Sequence, residues 1–252
     1  MSDHEPPVGD GASRPPNSGR TSSTDLNDVH DQYTSLIGTN DMSARFAPID
    51  ASTATPLAWR PDPIRDRLDP LRGLDFQSTT LPEDLGLDRT VVFPSSPSGG
   101  DELRQLLRGI KVGRGSRALD IGCGKGSAIR TMLRFPFSRV DGLEVAPELA
   151  AVARSNFARL HERRSTIFTT DATRFDRYRD YDFLYLYSPF PASVMTQCIA
   201  RVVESVDEHP RTVTILYVNT HCHDQIVATG RVTFESVGRT PHGNDIKHYR
   251  LT

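Results

Sequence analysis

The ten residues Ala118-Leu119-Asp120-Ile121-Gly122-Cys123-Gly124-Lys125-Gly126-Ser127 constrain this chain more than any other stretch. A short apolar run, the signature of a buried strand, passes without a spacer into a glycine-rich turn and then into residues that open a helix. Gly122 and Gly124 permit tight backbone geometry and leave no Cβ in the path of an approaching ligand. Gly126 lets the following helix start close to the strand. Strand, glycine turn and helix in immediate succession begin a unit with right-handed crossovers, in a parallel sheet covered by helices.

The alternation continues downstream. After Arg117–Ile121, further strands are predicted at Arg139–Leu143, Thr166–Thr169, Asp182–Tyr187 and Thr212–Val218. Helices are predicted over Asp101–Gly109 and Ser127–Leu133, from Pro147 onward, after Pro191, and briefly over Asp224–Ala228. Leu149, Val152, Ala153, Phe157 and Leu160 give the Pro147 helix its apolar stripe. Arg231–Val237 and Asp245–Leu251 flank Gly238–Gly243 and pair as a hairpin. The expected fold class is α/β: a doubly wound, mostly parallel seven-stranded sheet with an antiparallel C-terminal hairpin, preceded by a helical and extended N-terminal arm.

That arm is read in two parts. Residues 1–24, dominated by Pro, Gly, Ser, Asp and Thr, are expected to form a disordered tail. Residues 25–97 form the arm, with Leu26, Val29, Tyr33, Leu36 and Ile37 at helical spacing and Trp59, Ile64 and Leu68 as packing residues in a proline-broken stretch. Because the sheet uses all of 117–252, the arm is left to cap the site. Leu74, Phe76, Leu81, Leu85 and Leu87 are expected to pack on the core, and Val91–Ser96 to return to the ligand edge. Residues 98–252 make the main domain.

Composition excludes some functions. A formal net charge of -2 gives no global attraction to nucleic acid or anionic membrane. The cysteines, Cys123, Cys198 and Cys222, are far apart and form no CxxC pair, so a reducing cytoplasm is the simpler setting. No basic N-terminal region with an apolar run suggests a signal peptide, and no apolar stretch is long enough for a membrane span. No obligate protein partner is indicated.

Candidate ligand contacts fall at strand ends. The loop spacing is GxGxG rather than the dinucleotide GxGxxG, with Asp120 just upstream, which suits a ligand bearing ammonium and sulfonium charge better than a diphosphate. Glu144 ends the second strand, where an acid accepts hydrogen bonds from both hydroxyls of a ribose; it also suits a cap on the Pro147 helix. Asp171 and Ala172 follow the third strand and can address the amine and a ring nitrogen of an adenine.

This pattern resembles the class I, Rossmann-like S-adenosylmethionine-dependent methyltransferases over about residues 95–252. The resemblance implies S-adenosylmethionine as cofactor, with Gly122, Cys123, Gly124 and Gly126 in the loop beside its methionine part, Glu144 at the ribose and Asp171-Ala172 at the adenine. A finer similarity is to small bacterial methyltransferases of unassigned substrate, on Phe135-Pro136-Phe137 and Tyr187-Ser188-Pro189-Phe190-Pro191. The arrangement is also reminiscent of non-SET histone-lysine methyltransferases.

On the acceptor side, Tyr187, Ser188 and Phe190 follow the fourth strand, where methyltransferases of nucleobases or glutamine commonly carry Asn/Asp-Pro-Pro-aromatic. Ser188 offers a hydroxyl in place of the amide. This favours a small or medium-sized organic or peptide acceptor over duplex nucleic acid. His221 is the preferred candidate base in His221-Cys222-His223-Asp224, a cluster without the spacing of a structural zinc site, so no metal is expected. Alternatives are a protein lysine methyltransferase, an NAD-dependent oxidoreductase and a non-catalytic adenosylmethionine-binding protein.

Overall fold

The computed structural model describes residues 68–86, 93–240 and 243–252. The tail, the helical spacing of 25–37, Trp59, Ile64, Leu87 and Val91-Val92 lie outside the described residues. Strands β1 (Arg117–Ile121), β2 (Arg139–Glu144), β3 (Ile167–Thr169), β4 (Phe183–Tyr187), β5 (Val213–Val218), β6 (Val232–Arg239) and β7 (Asp245–Leu251) form a sheet of order β3-β2-β1-β4-β5-β7-β6. The β3-to-β5 side is parallel throughout, whereas β7 runs antiparallel to both neighbours. The fold is the expected one, and strand ends agree within two residues. One difference has a visible cause: β4 starts at Phe183 because the Asp182 carboxylate turns sideways to accept the Arg117 amide at 2.9 Å.

Helices α1 (Asp101–Gly109), α2 (Ser127–Met132), α3 (Pro147–Arg159), α4 (Ala192–Glu208) and α5 (His223–Val227) cover the sheet. Side chains alternate across each strand, and β4 shows the consequence. Leu184 and Leu186 pack with Met195, Cys198, Ile199 and Val202 of α4. Phe183 and Tyr185 pack on the other face with residues of α1, α2 and α3, and Tyr187 adjoins the same cluster. The two cores therefore split the two tyrosines from the two leucines as the alternation predicts.

The described part of the arm packs on the α2–α3 face. Leu74 and Phe76 are buried there. Asp69, also buried, pairs bidentately with Arg130 of α2, whose guanidinium lies over the Phe76 ring, 4.5 Å from its centroid. Leu81 and Leu85 are half-buried around a 3-10 turn at Pro82–Leu85. Thr80 and Ser95 exchange backbone hydrogen bonds of 3.0 and 2.9 Å, closing the arm into a short antiparallel bridge.

β1 lies at the point where chain order reverses: β2 and β3 follow on one side, β4 and β5 on the other. In open parallel sheets a crevice forms outside the carboxyl ends of the strands at this point. Gly126 occupies the N-cap of α2 with φ of 87°. Its close neighbour is not the strand but Phe157 of α3: a Cβ would lie 2.6 and 2.9 Å from two ring carbons. Gly126→Ala is expected to destabilise the protein by about 1–3 kcal/mol, through overpacking and left-handed backbone together. Chemical denaturation checks this; an unchanged midpoint would contradict it.

Candidate functional site

A cleft opens over the carboxyl ends of β1, β2 and β4, with about 1130 Å³ of empty space, part of it open to solvent. Its floor is the glycine loop. The Gly122 and Cys123 amides both donate to Leu143 O, at 3.0 and 2.8 Å, which ties the loop to the end of β2. Gly122 and Gly124 have φ of 78° and 51°. A Cβ on Gly122 would collide with Pro189, and one on Gly124 with Ser95. Both glycines are thus required by backbone conformation and by close approach of neighbouring segments.

Glu144 is buried, and both its oxygens are engaged. Oε2 accepts the Gly124 amide at 2.8 Å and Oε1 the Ala146 amide at 2.9 Å. The second bond caps α3, so the capping role is real. Each carboxylate oxygen keeps a further lone pair for a hydroxyl. Burial pushes the Glu144 carboxyl above its usual range, opposed by the Ala146 and Gly124 amides. Asp171, half-buried at the other end, accepts the Thr173 amide (2.8 Å) and hydroxyl (2.9 Å) through Oδ1. Ala172 lies beside it in the wall.

Asp120 takes a different place. It is buried behind the glycine loop rather than in the cleft wall, and its Oδ2 has no hydrogen-bond partner. Burial, with the nearby Glu144 charge, pushes its carboxyl well above the usual range. Buried carboxylates are ordinarily paired, and Asp141 on β2 shows the contrast, bonded to Arg139, the Thr166 amide and the Tyr181 hydroxyl. Asp120 is thus a buried acid whose Oδ2 has no partner among the described residues. Cys123 lines the cleft as a thiol, held protonated by burial and by the Asp120 and Glu144 charges.

The β4 side of the cleft is formed by Tyr187, Ser188, Pro189 and Phe190. Ser188 adopts a left-handed conformation, φ 39°, its amide bonded to Val218 O at 3.1 Å. Its buried hydroxyl makes no well-formed hydrogen bond, although the Tyr217 hydroxyl lies near. The Pro189 carbonyl receives the Phe93 amide from the arm at 3.4 Å. Phe190 is both cleft wall and core. Tyr187 accepts a 2.9 Å bond from Asn244, and burial with the Glu102 charge keeps its phenol protonated.

Of the residues singled out from sequence, Gly122, Cys123, Gly124, Glu144, Asp171, Ala172, Tyr187, Ser188 and Phe190 share this one cleft. Asp120, Gly126 and His221 do not line it. His221 is exposed, past the end of β5, and His223 bonds Tyr249 through Nδ1 at 2.8 Å. No group of three metal-ligating side chains occurs among the described residues. Sequence reasoning missed Lys125 as a side chain, Ser95 as the contact over Gly124, and Asn156. Only Asn156 carried a signal: three residues from Ala153 and four from Leu160, it interrupts the apolar stripe of α3.

The residues fit S-adenosylmethionine: a cradle that a Cβ would fill, carboxylates on the adjoining strand ends, and an unpaired acid beneath. Residues 118–209 match the family model of a methyltransferase domain. Residues 118–209 are thus a methyltransferase domain on a Rossmann-like sheet, and the cleft suits S-adenosylmethionine as its cofactor. No curated protein matches the chain. Solved structures resemble it in part. One is an S-adenosylmethionine-dependent methyltransferase from Aquifex aeolicus (11% identity, TM-score 0.49, 60% of this chain and 90% of that one). Another is an RNA methyltransferase from Salinibacter ruber with S-adenosyl-L-homocysteine (16%, 0.47, 59% and 89%). The pyocyanin biosynthetic protein PhzM is a third (13%, 0.48, 60% and 54%). The assignment rests on the matched stretch and the cleft, not on these likenesses. No helix among the described residues is long and apolar enough to cross a membrane.

Asp120 supplies a test by pH. A carboxyl raised in the folded state leaves stability intact below its unfolded value and removes it as pH rises through the folded one. Asp120→Asn abolishes that loss. Its melting temperature should therefore gain on the wild type's as pH rises above the ordinary carboxylate range, while its affinity for S-adenosylmethionine falls. Parallel melting curves above that range would refute the uncompensated acid.

Proposed function

We propose that this enzyme methylates a small or medium-sized organic or peptide nucleophile, held beside Ser188 at the end of β4. The observation that carries the reading is the Ser188 hydroxyl, buried next to the cleft without a well-formed hydrogen bond, while the adjacent Pro189 carbonyl is already engaged by Phe93. A buried hydroxyl in that state costs free energy unless a ligand supplies its partner. S-adenosylmethionine, when bound, supplies an electrophilic methyl on a sulfonium sulfur. Ser188 orients the nucleophile, Phe190 walls it from water, and Tyr187, protonated and fixed by Asn244, bounds the far side. Glu144 and Asp171 hold the nucleoside, and Asp120 favours the cationic end through the loop. In-line placement, rather than acid–base chemistry, is the main contribution of these residues.

Duplex nucleic acid is a poor acceptor for this cleft. Lys125 is the one Lys or Arg among the described lining residues, and its ammonium is bonded to Asp75 and Ser78. Recognition of phosphate backbones recruits several free cations; a dinucleotide's diphosphate is disfavoured likewise. Described residues of the 25–97 arm would serve as the cap, since Phe76, Ser78, Thr80 and Pro94–Pro97 line the cleft. Three buried free cysteines suit a reducing cytoplasm.

Screening a metabolite and peptide extract for methylated products identifies the acceptor. With it, Ser188→Ala should lower kcat/KM by about 10–100-fold while leaving cofactor affinity within about 2-fold, because misplacing the nucleophile is costly. Phe190→Leu, which preserves the core better than Ala, should act in the same direction. Full turnover in Ser188→Ala, or salt-sensitive methylation of duplex nucleic acid by the wild type, would overturn the proposal.

A further inference from the structure

Asn156 lies in α3, 1% exposed, with its amide fully used by two distant segments. Its Oδ1 accepts the Asp75 amide at 2.9 Å, and its Nδ2 donates to Asp75 O at 2.7 Å and to Lys125 O at 3.1 Å. One side chain thus reads both backbone groups of an arm residue and the carbonyl in the middle of the glycine loop. The Asp75 carboxylate completes the knot. Its Oδ2 accepts the Lys125 ammonium at 2.9 Å, and its Oδ1 accepts the Ser78 amide at 3.1 Å and hydroxyl at 2.7 Å. Lys125 also donates to the Ser78 hydroxyl. Partial burial would raise the Asp75 carboxyl, but the Lys125 and Ser78 bonds outweigh it and hold it below its usual value.

These contacts join the arm to the loop that forms the cleft floor. Phe76 and Ser78, on the arm just beyond Asp75, stand in the cleft wall, and Lys125 belongs to wall and knot alike. Asp75 and Asn156 do not line the cleft. An Asn is the residue this position needs: Asp has no donor for the two carbonyls, and Leu satisfies none of the three groups. Buried backbone groups left without partners are expensive, so the arm and loop are fixed together or not at all.

We propose that Asn156, Asp75 and Lys125 form a latch that makes the arm an integral outer wall of the cofactor site, so that S-adenosylmethionine affinity is set in part by Asn156 and Asp75, positioning residues outside the cleft lining. The inference rests on the cofactor assignment above. It also extends the cofactor site beyond the 118–209 stretch, to residues of the arm.

The test is titration calorimetry of the full chain with S-adenosylmethionine and S-adenosylhomocysteine, alongside melting temperatures. Asp75→Ala and Lys125→Met should each weaken binding of both ligands by about 10-fold, and the double variant by little more than either alone, because they remove one shared interaction. Asp75→Asn, which keeps one acceptor oxygen where the carboxylate has two, should recover only part of the loss. Asn156→Leu should weaken binding further if it folds; the Asp75 and Lys125 variants carry the test if it does not. A loss with Lys125→Met but none with Asp75→Ala would make Lys125 a direct cofactor contact and overturn the latch. Lower melting temperatures with unchanged affinity in the folded variants would reduce it to a stability element and overturn it too. A wild type that binds neither ligand would instead defeat the cofactor assignment on which the latch rests.

Discussion

The hydrogen bond from the Gly124 amide to the Glu144 carboxylate, 2.8 Å long and buried, is the constraint on which the site depends. It ties the loop after β1 to the end of β2, and through Oε1 the same side chain starts α3. The loop and the segment leading into α3 are therefore tied to one acid. The loop can approach its neighbours this closely only because Gly122 and Gly124 carry no Cβ, with Pro189 and Ser95 occupying the space a Cβ would need. Those two neighbours come from the β4 loop and from the arm. The β4 side of the cleft and the outer wall are thus referenced to the same few atoms.

Charge is distributed to match. The Glu144 charge raises the cost of ionising Asp120, in a region where burial disfavours charge on both. A cation bound above them lowers that cost.

Much of this was legible in the sequence, for physical reasons. The strands show as dense apolar or β-branched runs because a parallel sheet is buried on both faces, and the loop shows because only glycine tolerates its geometry. Glu144, Asp171 and Ser188 follow from strand ends, which the topology converges on one crevice. What stayed hidden was direction. Asp120 lies two residues before Gly122 and is buried outside the cleft lining, while His221 lies exposed past the end of β5; position along the chain does not state where a side chain points. The arm was hidden because its contacts are polar and long-range: Asn156 meets Asp75 across 81 residues, and no periodicity encodes that pairing.

The sheet order also governs how the protein can be made. Among the described residues β6 is bonded only to β7, yet β7 is later in the chain and lies between β5 and β6. During synthesis, β6 leaves the ribosome before its only partner exists, and β5 meanwhile exposes an open edge. The five parallel strands and the cofactor loop can assemble as an early unit, but two strand edges stay unpaired until the segment Asp245–Leu251 slides between them. Unpaired edges are templates for wrong association. A stalled or truncated product lacking β7 would therefore present a nearly complete cofactor site on a sheet primed to pair with other chains.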